Sequence, residues 1–310
     1  MQGYVAVTDY GWYEHLSQQG FWSEVNFWRP SARAGFRGAP GTPFFFKLKH
    51  PHNAVCGFGQ VNRYVPLPEW LAWECFGEGN GAQSFEAMTA RLQEIRSRGS
   101  SSDSGEIGCI VLSNAVFFPR EFWIPQPADW SANNLTSKRY DIAHGEGLRI
   151  WSACMRHVTS LGDLSYWPAD APSEALARYG KGQLVRPRLG QGTFRLSVED
   201  AYGRACAVTT EHSRPALEAA HIRPYAREGP HEIANGLLLR ADVHRLFDKG
   251  YLTVTPERRL KVSPRLRTEF ENGHTYYPHD GCRITLPANP VLHPDPNFLR
   301  WHNDNVYRGG

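Results

Sequence analysis

Residues 217–251 read LEAAHIRPYAREGPHEIANGLLLRADVHRLFDKGY, and this stretch decides how the chain is read. His221 lies in a short apolar run, Asn235 opens an Asn-Gly turn 14 positions on, His244 follows 9 later and Asp248 4 after that. Leu217 to Ile222, apolar around one histidine, predicts a strand, and Leu237 to Leu246, apolar at helical intervals, predicts a helix. Side chains at i and i+4 share a helix face, so His244 and Asp248 are expected to point the same way, at a metal-ligand spacing.

The order His, Asn, His at these gaps resembles the HNH (ββα-metal) nuclease family. The phrases LEAAHI, NGLLL and VHRLFDKGY are similar to its bacterial restriction-type branch, and the similarity extends over most of the chain after Arg188. Phosphodiester hydrolysis needs an activated water, stabilised phosphoryl oxygens and help for the leaving 3′-oxygen. A neutral histidine suits the first task and a divalent cation the other two. The resemblance implies His221 as general base and Asn235 as the residue that holds the loop so that the imidazole keeps one orientation. It implies His244 and Asp248 as ligands of one divalent metal ion per chain, Mg²⁺ or Mn²⁺, with Co²⁺ or Ni²⁺ also tolerated by an imidazole ligand. Many family members carry Asp or His immediately before the base, where this chain has Ala220. Glu218, two residues earlier on the same strand face, is expected to substitute as a ligand, directly or through a water. Arg223 and Arg245 are candidates for the scissile phosphate, with surface salt bridges as the alternative.

Length and composition set the frame. A chain of 310 residues suggests two domains, and 41% apolar with 21% charged residues is ordinary for a globular protein with a sizeable core. The net charge of +3 identifies no partner by itself. All of it falls after residue 187, where 17 Lys+Arg face 14 Asp+Glu, while the earlier part balances at 17 against 17. Two acid-free basic runs stand out, Arg178, Lys181, Arg186, Arg188 and Arg195, then Arg258, Arg259, Lys261, Arg265 and Arg267. Each could follow a phosphate backbone or be solvated surface. The six cysteines show no Cys-x-x-Cys spacing, so reduced thiols and no structural zinc are expected. The N-terminus lacks a basic stretch followed by an apolar one, and no apolar run approaches 18 residues. No membrane association and a cytoplasmic location are therefore expected.

Residues 1 to about 160 read mostly as strands, with short β-rich runs at Tyr4 to Val7, Phe44 to Leu48, Val55 to Val61 and Ile107 to Leu112. Two helices are expected, Pro68 to Phe76 and Ser84 to Arg98, the second capped by Ser84. A closed or half-closed β-barrel with flanking helices accounts for this pattern. Eight of the ten tryptophans lie here. Most large aromatics serve cores, but Trp12 and Trp28 stand beside polar or turn residues where a ring could line a flat pocket for a nucleobase.

The phrases VNFWRPS, FFFKLKHP, GFGQV, LAWECFGEGNG and IGCIVL resemble the EVE-type PUA-like domains, relatives of the SRA domains, in which a β-barrel reads modified bases flipped from the duplex. This resemblance implies a base pocket formed from Trp12, Asn26, Trp28 and Trp73. The fold class is thus α+β, with a PUA-like β-barrel and flanking helices over residues 1–160, a linker over 161–187 and an HNH ββα-metal nuclease domain over 188–310. The linker is expected to hold one short helix, Ser173 to Tyr179, and SRGSSSDSG at 97–105 reads as a mobile loop.

After the linker, a helix from Phe194 to Tyr202 precedes a hairpin of Cys206 to Val208 with Ala216 to Ile222, which carries His221. A second hairpin, Leu252 to Thr255 with Arg259 to Val262, a helix from Pro264 to Asn272 and a final helix follow. Together these features imply a modification-dependent restriction endonuclease acting on double-stranded DNA that carries 5-methylcytosine or 5-hydroxymethylcytosine. Cutting both strands with one centre per chain makes a homodimer the expected assembly. The alternatives are a non-cleaving modified-base or RNA reader, and an HNH nuclease indifferent to modification.

Overall fold

The computed structural model describes residues 2–97, 105–131, 133–134, 136–163, 190–227 and 229–309. The expected helix at 173–179, nearly all of the 97–105 loop and most of the first basic run lie outside them. The chain divides into two compact units, 1–190 and 191–310, and the fold class is α+β as expected.

The first unit is built on a seven-stranded mixed sheet. Its strands are β1 (Gln2–Thr8), β2 (Phe21–Arg29), β3 (Pro43–Leu48), β4 (Ala54–Pro68), β5 (Glu106–Phe117), β6 (Ile124–Pro125) and β7 (Ser137–Asp141). The order is β2-β5-β4-β3-β1-β7, with β6 on β4, so β2 and β7 form opposite ends and no hydrogen-bonded ladder joins them. β1 runs parallel to β3 with Tyr4 opposite Phe44, and the other pairs are antiparallel. The sheet nevertheless curls. β2 and β3 are three strand spacings apart, roughly 14 Å in a flat sheet, yet the rings of Phe27 and Phe44 approach to 4.9 Å. The expected half-closed barrel is therefore present.

Both faces of the sheet are covered, which is why the strands read as continuous apolar runs. All six residues of β3 are buried. Phe45, Phe58 and Val5 pack against Ile150, Cys154, Val158 and Leu161 of a helix, Gly145–Asp163. On the other face Phe44, Phe46, Phe27 and Val61 pack against Trp12, Tyr13 and Leu16 of a helix, Tyr10–Ser17. Each buried phenylalanine contributes on the order of 2 kcal/mol of hydrophobic stabilisation. These helices, α1 (Tyr10–Ser17) and α4 (Gly145–Asp163), were not expected, whereas α2 (Glu69–Phe76) and α3 (Phe85–Ser97) were. The TDYGW stretch is a helix start and not a turn, because the Asp9 carboxylate accepts the Trp12 amide hydrogen at 3.1 Å. Ser84 caps α3 as expected, accepting from the Ala87 amide at 3.2 Å.

The second unit begins with α5 (Gln191–Ala201), close to the expected helix, and continues with β8 (Leu217–His221), β9 (Gly236–Arg240) and α6 (Ala241–Asp248). Here the expected pairing is corrected. β8 pairs antiparallel with β9, His221 opposite Gly236, and Cys206 to Val208 forms no strand. The helix also begins at Ala241 and not at Leu237. Leu237, Leu238 and Leu239 are all buried, so this strand shows no alternation that would separate it from a helix. β10 (Leu252–Val254) and β11 (Leu260–Val262) form the second expected hairpin, followed by α7 (Arg265–Phe270) and α8 (Pro296–Asn305). One apolar cluster joins Phe194 and Val198 of α5, Leu217 and Ala220 of β8, Leu237 and Leu239 of β9, and Val243 and Phe247 of α6. All six cysteines are free thiols. Among the described residues no helix is long and apolar enough to cross a membrane.

Candidate active site

The two paired strands and the helix that follows them bring His221, Glu218, His244 and Asp248 to one edge of the second unit. His221 is the last residue of β8, and its ring stacks on Phe194 of α5 with centroids 3.9 Å apart and planes 13° apart. Burial first, then the nearby His231 and His244, push its pKa down to about 4. The ring is therefore neutral near pH 7 and has a lone pair available to accept a proton.

Asn235 is fully buried just before β9. Its Oδ1 accepts the Arg223 amide at 2.9 Å, and its Nδ2 donates to the carbonyls of Arg223 and Pro230 at 2.9 Å each. The Ile222 amide donates to the Asn235 carbonyl, also at 2.9 Å. The side chain thus clips together the two ends of the loop that leaves His221. Gly229 completes the closure, since a Cβ there would fall 1.8 Å from the Arg223 carbonyl oxygen.

His244 and Asp248 share one face of α6 as their spacing requires, with His244 Nε2 3.3 Å from Asp248 Oδ2. Glu218 approaches the same ring from the opposite edge, where His244 Nδ1–H donates to its Oε2 at 2.6 Å. Burial of His244 opposes its protonation, but the hydrogen bonds and charges of Asp248 and Glu218 outweigh it and raise the pKa. Because Nδ1 and Nε2 face opposite ways, a carboxylate on Nδ1 does not share a metal position with Asp248. Glu218 instead sets the ring orientation and the tautomer that leaves Nε2 directed at Asp248. Ala220, where an acidic ligand was sought, is buried among the leucines of the core, and a carboxylate there would be buried without a partner.

Among the described residues, no three His, Cys, Asp or Glu side chains already enclose a metal position. The donor chemistry of His244 and Asp248 nonetheless fits a divalent cation. An imidazole nitrogen and a carboxylate oxygen 3.3 Å apart on one helix face are donor types that such an ion would take.

Residues 206–255 match the HNH endonuclease family. Among solved structures, an ASCH protein from Zymomonas mobilis aligns at 13% identity over 48% of this chain and 94% of that one, with a TM-score of 0.30. A point mutant of that protein aligns at 10% identity over 49% and 94%, with a TM-score of 0.33. A modification-dependent restriction endonuclease, TagI, aligns at 15% identity over 89% of this chain and 65% of that one, with a TM-score of 0.29. Likeness this distant leaves the function to be argued from the site. No curated protein gives a significant match.

Around the HNH segment, the two candidate phosphate contacts differ. Arg245 is exposed beside His244 and has no side-chain partner among the described residues. Arg223 donates through Nε to the Arg227 carbonyl at 2.6 Å and lies over the Trp301 ring, 5.6 Å from its centroid. In the second basic run, Arg259 donates to the Gly281 carbonyl, Lys261 lies over Tyr307, Arg265 pairs with Glu269 and Arg267 lies over Tyr277. That run is tied into its own unit.

In the first unit, Trp12, Asn26 and Trp28 converge on residues 79–81. A Cβ on Gly81 would fall 2.0 Å from the Trp12 ring. Asn26 Nδ2 donates to Asn80 Oδ1 at 2.9 Å, and Trp28 Nε1 donates to the Asn80 carbonyl at 2.8 Å. Trp12 is only 3% exposed and is held edge-on by Phe27, Phe46 and Phe117. Trp73 of α2 packs beside Phe85. Two buried polar atoms of these residues, Trp12 Nε1 and Asn26 Oδ1, have no hydrogen-bond partner among the described residues.

Sequence reasoning missed His231. Its Nδ1 lies 3.0 Å from His221 Nε2, and its ring stacks on Tyr225 with centroids 4.7 Å apart. A histidine between the first His and the Asn was visible in the sequence, but no periodicity linked the two rings.

Proposed function

We propose that the protein is a divalent-metal-dependent DNA endonuclease whose cutting depends on modified cytosine, read as a flipped base by the first unit. The observation that carries the nuclease reading is a neutral His221 beside a His244 and Asp248 pair, on two strands and a helix clipped by a buried Asn235. His221 takes the proton of the attacking water as the oxygen-to-phosphorus bond forms and the bond to the 3′-oxygen breaks. Asn235 holds the backbone that carries His221, Glu218 holds the His244 ring, and the exposed Arg245 meets a phosphate oxygen in this reading. A divalent cation held by His244 Nε2 and Asp248 supplies Lewis-acid stabilisation of the phosphoryl and leaving oxygens when bound.

The reader function is supported by the curled aromatic sheet and its orphaned polar atoms. An unpaired buried donor on Trp12 and an unpaired acceptor on Asn26 are costly unless a partner arrives. A cytosine edge offers an amino donor and ring acceptors that match them. Because one chain carries one such centre, cutting both strands calls for two copies, which makes a homodimer on the DNA the assembly that fits.

Digestion of DNAs carrying cytosine, 5-methylcytosine, 5-hydroxymethylcytosine or glucosylated cytosine, with Mg²⁺ and with Mn²⁺, tests both parts. Cleavage confined to modified DNA and lost on chelation is expected. His221→Ala should lose cleavage while still binding DNA. Normal turnover by that variant would sink the base assignment, and equal cutting of all four DNAs would leave a nuclease indifferent to modification.

A further inference from the structure

We infer that His231 is the positioning residue that sets the tautomer of His221, so that His221 presents the lone pair of Nδ1 to the water. This inference rests on the nuclease reading for its consequence but not for its geometry. His221 Nε2 and His231 Nδ1 lie 3.0 Å apart, a hydrogen-bond distance, and one of the two nitrogens must carry the shared hydrogen. Only two neutral arrangements exist. Either His221 Nε2–H donates to His231 Nδ1, and both rings carry hydrogen on Nε2, or His231 Nδ1–H donates to His221 Nε2, and both carry it on Nδ1. An unconstrained histidine side chain favours hydrogen on Nε2, so the first arrangement leaves both rings in their ordinary form. It also leaves His221 Nδ1, which has no partner among the described residues, as an acceptor.

The pair is built rather than incidental. Phe194 stacks under His221 and Tyr225 stacks on His231, which limits how either ring tilts. Asn235 Nδ2 binds the carbonyl of Pro230, immediately before His231, and that of Arg223, two residues after His221. The buried asparagine therefore holds both imidazoles at their separation. A metal-binding histidine often has its free N–H fixed by a carboxylate, as Glu218 does for His244. In the base, a second imidazole does the same work without adding a negative charge, so His221 stays a weak base that is neutral near pH 7.

Nitrogen-15 spectra of the imidazoles in the whole protein near pH 7, with no metal added, read the tautomer directly. His221 is expected to carry hydrogen on Nε2 in the native chain. In His231→Ala it should shift to a mixture of tautomers, and His231→Asn, whose Oδ1 stands near the place of Nδ1, should restore the native form. On modified DNA, His231→Ala should lower kcat about 10-fold or more with KM and melting temperature little changed, and His231→Asn should recover most of it. Hydrogen on Nδ1 of native His221, or an alanine variant that keeps the native tautomer, overturns the inference whatever the cleavage result. If no DNA is cut by the native protein, the nuclease reading fails while the spectra still decide this one.

Discussion

Replacing Asn235 by alanine tests how the site is held. The side chain is fully buried and makes three hydrogen bonds of 2.9 Å, all to main-chain atoms of Arg223 and Pro230. Each is worth about 1 kcal/mol net, and the deletion strands one amide and two carbonyls, so the loop should lose about 3 kcal/mol. At 1.4 kcal/mol per tenfold, local opening should become roughly 100-fold more frequent. The Ile222 amide reports this cleanly, because its bond to the Asn235 carbonyl is backbone and survives the substitution. Amide exchange in the native state should accelerate at Ile222 by about that factor, while amides of the first unit stay unchanged. Cleavage should fall at least about 10-fold as the His221 and His231 pair loosens. Asn235→Asp should do no better, since a carboxylate keeps the Arg223 amide but turns an oxygen toward two carbonyls. Ile222 exchange within about threefold of native in the alanine variant would refute the clip, because it would mean the loop holds itself.

Two other outcomes follow from the same unit. Glu218→Ala should weaken Mn²⁺ binding by about 10- to 100-fold in calorimetry, because His244 loses the partner that orients it, while folding is retained; unchanged affinity would remove Glu218 from the site. His302 of α8 is buried, its Nε2–H donating to the Phe247 carbonyl at 3.1 Å and its Nδ1 accepting from the Thr253 hydroxyl at 2.8 Å, and burial pushes its pKa down to about 4. A folded-state value below the unfolded value of about 6.5 means that its contribution is complete above that pH. It is withdrawn as pH falls from about 6.5 toward 4, by at most about 3 kcal/mol. Urea unfolding at pH 7 and pH 4.5 should therefore show a smaller pH dependence in His302→Gln than in the native chain, and equal dependence would show that another group carries the effect.

The sequence by itself determined the elements whose signals are local. The spacing of His244 and Asp248 put them on one helix face, Ser84 marked the start of α3, and the apolar runs of β3 and β4 marked a sheet core. The His, Asn, His order pointed to the HNH segment that the family match covers. These are legible because side-chain direction repeats every 3.6 or 2 residues along the backbone.

Tertiary structure decided what depends on partners distant in the chain. It gave β8 the strand Gly236–Arg240 as its neighbour in place of Cys206 to Val208, because the apolar triplet 237–239 is covered on both faces and has no period. It curled the first sheet until Phe27 met Phe44, and it sealed Trp12 among phenylalanines that lie on β2, β3 and β5. It put Glu218 on the edge of the His244 ring opposite Asp248, and it brought His231 to His221 across a loop closed by one asparagine. Which nitrogen of each imidazole meets a partner depends on the pairing of strands and the closure of loops, and neither is written in the spacing of residues along the chain.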